Sequence, residues 1–188
     1  MDTGLIALIV IILLRTFLPF VLFKWPFWGA VSLILADMSD VMVFQSFGSG
    51  PLTGEHYHTF DKFFDSYYLF FELLIVWRWR NTLMRRTAKT LFAWRMVGFA
   101  IFEVSSLFGV PVRAVFLFAP NIFENFYLFW AFMLRYKPKF KITYKRLIII
   151  VLAVGLPKLA QEYVMHYRFI DQTWGFIRDN FFFWLYDI

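Results

Sequence analysis

The residues of this chain best suited to chemistry are two carboxylate pairs, Asp37-Met-Ser-Asp40 and Asp61-Lys-Phe-Phe-Asp65. Spacings of three and four put each pair on one face of a helix. Two such pairs on consecutive antiparallel helices bring four carboxylates to one place. The result is an oxygen-rich site for a hard divalent cation such as Mg²⁺, Mn²⁺ or Ca²⁺. A metal there could clamp a phosphate or pyrophosphate and activate a hydroxyl nucleophile. Without metal the four acids repel one another, so that some would be protonated or paired with Lys62 or Arg15. No organic cofactor is expected, since there is no Walker motif, no G-x-S-x-G elbow, no HExxH and no Cys.

Eight of the 13 acidic residues fall within or at the rim of apolar stretches: the four aspartates, Glu72, Glu103, Glu124 and Glu162. A carboxylate in a bilayer costs at least about 2.5–3.5 kcal/mol, so such groups should face a protein interior and have partners. Glu72 continues the Asp61/Asp65 stripe. Lys158, Glu162 and His166 follow one another at spacing four, a Lys–Glu–His ladder on one helix face. Arg15 and Arg95 are the other cations in apolar stretches. Converging, Glu72, Glu103, Glu124, Lys158, Glu162 and His166 would form the polar network of an acidic cavity open to the outer face. The plainer reading is a buried ion-pair network that fixes helix register. Glu55-His56-Tyr57-His58 has the residue types for Zn²⁺ or acid–base work, although two loop histidines are more often simply solvated. Gly48–Gly54 reads only as a loop, and Asn121, Glu124 and Asn125 can hydrogen-bond across helices.

The elements that must position these groups follow from composition. Of 188 residues, 61% are apolar and 23% aromatic, with a mean hydropathy of +0.62. Soluble domains sit nearer 45–50% apolar, so the chain reads as an all-α polytopic membrane protein, a single transmembrane domain over 1–188. Six stretches are long enough for helical spans, at about 4–23, 25–47, 60–78, 90–110, 115–134 and 147–166. The first is not a cleavable signal, because no positive residues precede it. The tail, 167–188, has Trp174, Ile177, Phe181, Trp184 and Leu185 at helical spacing and reads as an amphipathic interfacial helix.

Charge sets the orientation. Lys24, the 78–89 connection and the 135–146 connection hold twelve of the 19 Lys and Arg and no acid, which assigns them to the cytoplasmic side. Both termini and the 2–3 loop then face outward, in an inner or plasma membrane of bacterial type. Trp25, Trp28, Trp77, Trp79, Trp94 and Trp130 fall near cytoplasmic span ends, as interfacial indoles do. The basic connections therefore meet anionic inner-leaflet headgroups, with no nucleic acid expected. Aromatic spans and the C-terminal helix offer surfaces for a homo- or hetero-oligomer.

With its four aspartates on spans two and three, the chain resembles the CDP-alcohol phosphatidyltransferase superfamily, six-span proteins of similar length. That family's motif reads D-x-x-D-G-x-x-A-R-x8-G-x-x-x-D-x-x-x-D. Asp37, Asp40, Asp61 and Asp65 match its acids by order, pair spacing and span, and Leu13–Pro19 is similar to the family's first span. The resemblance implies that Asp37, Asp40 and Asp61 are metal ligands and that Asp65 is the base activating an acceptor alcohol, so Asp61 and Asp65 carry the catalysis. It covers the first three spans. The motif's small residues are Val41, Phe44 and Tyr57 here, its Arg is Gln45, and the Asp40–Asp61 gap is three residues longer. Val41 and Phe44 argue against a cytidine nucleotide, and the family's tetrad faces the cytoplasm whereas the charge bias puts this one outside. Three functions follow: a metal-dependent transferase acting on a phospholipid or polyprenyl phosphate, a cation or proton transporter, and a non-catalytic subunit of a larger membrane assembly.

Overall fold

Arg15 ends a stripe of buried residues, Gly4, Ala7, Leu8, Ile11 and Arg15, spaced as one face of a helix. That helix is α1 (Thr3–Phe17) of a computed structural model. The structure describes residues 3–47, 55–110, 112 and 114–163, and among them every regular element is helical. The others are α2 (Pro26–Phe47), α3 (Glu55–Val76), α4 (Thr82–Leu107), α5 (Val115–Phe118), α6 (Ile122–Tyr136) and α7 (Tyr144–Tyr163). Among the described residues three segments are long and apolar enough to cross a bilayer: Thr3–Phe23, Thr82–Leu107 and Val115–Tyr136. The expected spans on α2, α3 and α7 carry their ionisable groups inside the apolar run: Asp37 and Asp40, then Asp61, Lys62, Asp65 and Glu72, then Lys158 and Glu162.

Two expected spans are not continuous α-helices. The first tightens after Phe17 into a 3₁₀ turn, Leu18–Phe23. Pro19 lacks an N–H and cannot continue the α-helical ladder. The fifth breaks at Ala119-Pro120-Asn121 between α5 and α6. Glu55-His56-Tyr57-His58, expected in a loop, lies in the first turn of α3. His166 and the tail helix at 167–188 lie outside the described residues.

The chain forms two compact units. One comprises Met1–Lys89 and Tyr127–Phe140, the other Thr90–Phe126 and Lys141–Ile188. In the first, Leu8, Ile11 and Phe44 make an apolar cluster with Val43 and Phe60, joining α1, α2 and α3. The Thr3 hydroxyl donates to the Phe47 carbonyl at 3.5 Å, so the start of α1 meets the end of α2. Gly29 allows α2 to cross the 3₁₀ turn, because a Cβ there would lie 2.9 Å from the Leu22 nitrogen. In the second unit, a Cβ on Gly98 would collide with that of Ala119, so α4 lies against the break preceding α6.

Candidate functional site

The last turn of α1 delivers Arg15 into the space between α2 and α3. Its side chain is only 5% exposed. Nη2 pairs with Asp37 and Nε with Asp40. Nη2 also lies 3.4 Å from Asp61. The Phe64 ring lies 5.8 Å from the guanidinium carbon. One cation thus ties both aspartate pairs together, and the spacing-three and spacing-four logic places all four acids in one cluster.

The acids differ in their surroundings. Asp40 is 1% exposed and held on Arg15. Asp37 and Asp61 keep 37% and 27% of their side-chain surface. Asp65 accepts a hydrogen bond from the Tyr68 hydroxyl at 3.3 Å and lies 3.9 Å from Lys62 Nζ. Asp37, Asp61 and Asp65 each present one carboxylate oxygen, all within 4.8 Å of one another. Oxygens about 2.4 Å from a shared Ca²⁺ are at most about 4.8 Å apart, whereas Mg²⁺ at about 2.1 Å asks for closer approach. The donor set is all carboxylate, as hard cations require. The four aspartates outnumber Arg15 and Lys62 by two, the charge of one divalent ion. Three of the four expected acids thus bring one oxygen each to a common place, where they could hold an ion, while Asp40 anchors the arginine.

A second polar cluster lies in the other unit, around Arg95. Its Nη1 is 3.6 Å from Glu162 and donates to the Ala119 carbonyl at 3.0 Å. Arg95 also stacks on Phe116, 4.7 Å from the ring centre. The backbone N–H of Asn121 donates to Glu162 at 3.4 Å, and its side-chain amide donates to Glu124 at 2.8 Å. Lys158 lies 3.8 Å from Glu124. The Trp94 indole donates to the Phe118 carbonyl at 2.8 Å. These contacts serve the backbone groups that the Pro120 break exposes, since irregular backbone at membrane depth must find partners in protein.

The network residues expected from the sequence thus divide between the units. Glu124, Lys158 and Glu162 meet in the Arg95 cluster, and Glu103 is half-buried on α4 of the same unit. Glu72 is 1% exposed on α3 in the unit that holds the aspartates. Sequence reasoning did not single out Tyr68, although its position three residues beyond Asp65 was a usable signal. No family model, curated protein or solved structure matches the chain. The resemblance to CDP-alcohol phosphatidyltransferases accordingly stands on the motif residues alone.

Proposed function

We propose that this chain is a six-span integral membrane protein, with both termini outside, whose aspartate cluster holds a divalent cation and acts on a phosphate-bearing lipid. The observation that carries the reading is the convergence of Asp37, Asp61 and Asp65 oxygens within 4.8 Å of one another. When bound, the cation supplies positive charge for phosphate oxygens. Asp65, by the resemblance, accepts the proton of an acceptor hydroxyl, with Tyr68 orienting it. Arg15 keeps its hold on Asp40 and turns its remaining N–H groups toward the phosphate. A phospholipid or polyprenyl phosphate suits the apolar exterior of α1, where Ile9, Val10 and Leu13 are about half exposed.

The test is a melting-temperature titration of the detergent-purified protein with Mg²⁺, Mn²⁺ and Ca²⁺, on wild type and Asp61→Asn. An ion bound only by the folded state stabilises it by about 2.7 kcal/mol at a hundred times its dissociation constant. Wild type should respond to at least one ion, with Asp61→Asn at least about tenfold weaker. If neither responds, the metal site is absent and the enzymatic reading falls with it. One observation favours a second reading, a non-catalytic subunit: Arg15 already pairs with three of the aspartates. In that case the ions leave both melting curves unchanged.

A further inference from the structure

A cavity of about 330 Å³ opens in the aspartate-bearing unit, away from the aspartates. Its floor is apolar and buried, formed by Ile75, Trp79 and Ala131. Phe23, Phe27 and Leu134 make the walls, and Arg78 and Arg135 stand at the rim. Arg78 lies over Phe23, its guanidinium carbon 5.0 Å from the ring centre. Among the described residues no carboxylate pairs with either arginine. Arg135 lies 5.5 Å from the Tyr136 ring centre, and the neighbouring Lys89 and Lys24 lie over rings that do not line the cavity, Trp77 at 3.4 Å and Trp25 at 4.7 Å.

Two guanidiniums without acid partners, at the mouth of an apolar cavity, are complementary to a ligand with a charged head and a hydrocarbon body. Guanidinium forks match phosphate oxygens in paired hydrogen bonds. The volume falls in the usual range for small-ligand sites, about 300–1,000 Å³, enough for the head-proximal part of a lipid. Basic residues crowd this end of the unit, where the charge bias expects the cytoplasmic leaflet. We propose that this cavity binds an anionic phospholipid, its phosphate between Arg78 and Arg135 and its first acyl carbons against Trp79 and Ala131. The proposal rests on the membrane reading but not on the aspartate site.

The experiment is native mass spectrometry of the full chain in dodecylmaltoside, titrated with phosphatidylglycerol, phosphatidylcholine or inorganic phosphate. Wild type should retain phosphatidylglycerol at least tenfold more tightly than phosphatidylcholine, with inorganic phosphate a poor competitor. Arg78→Gln with Arg135→Gln should lose that preference. Ala131→Phe, which fills the floor and leaves the charges in place, should lose binding as well. Lys139→Gln with Lys141→Gln, equal in charge change but outside the cavity lining, should bind as wild type does. Retention of the preference by the double arginine variant or by Ala131→Phe overturns the proposal. So does an equal loss in the lysine variant, which would mean diffuse attraction, or tight competition by inorganic phosphate, which would mean a free-anion site.

Discussion

Arg15 shows how one residue organises a site that spacing alone only assembles. The two aspartate pairs were legible because offsets of three and four leave no other arrangement on a helix. Their division of labour was not, because it depends on how α1 is rotated against α2. Asp40 went to Nε at 1% exposure, while Asp37 and Asp61 stayed accessible. Breaking a buried ion pair from one side typically costs about 3–5 kcal/mol, since the partner charge is left uncompensated. Arg15→Met should therefore lower the melting temperature by well over 5 °C. Added Ca²⁺ should then restore part of the loss by supplying the missing positive charge. Thermal melts with and without the ion check both halves, and a variant melting like wild type would deny Arg15 its organising role.

At the scale of elements, the helices were readable from apolar runs, but the break inside the fifth span was not. A stretch of apolar residues reads as one span whether or not its backbone is continuous, and Pro120-Asn121 was the signal to weigh more heavily. What makes the break tolerable is tertiary: Trp94 and Arg95 serve the carbonyls of Phe118 and Ala119, and Glu162 serves the Asn121 amide. The i, i+4 ladder on α7 predicted a shared face but not partners, and Lys158 and Glu162 reach different partners across the unit, Glu124 and Arg95. Close approach of α4 to Ala119 is required for these bonds. Gly98→Val should then destabilise by about 1–3 kcal/mol through overpacking, read as a lower melting temperature. A Gly98→Val protein that melts unchanged would mean that α4 can stand further off.

For the whole molecule, composition announced the helices and, among the described residues, segments apolar enough to cross a bilayer. It did not announce the two units, because each is assembled from segments distant in sequence and no linker marks a boundary. The orientation reading rests on loops that carry base without acid, and it makes a direct prediction. Thiol labelling of intact cells should modify Gly50→Cys, and Lys141→Cys should react only after the membrane is permeabilised. External labelling of Lys141→Cys would invert the topology. The Pro120 break bears as well on how the protein is made. Arg95 precedes it in the chain, but Glu162 follows it by some forty residues. A nascent chain that has not yet emerged as far as Glu162 leaves the Asn121 amide and the Arg95 guanidinium without their carboxylate. The fifth expected span should linger at the insertion machinery until α7 arrives, so synthesis of α7 completes its settling.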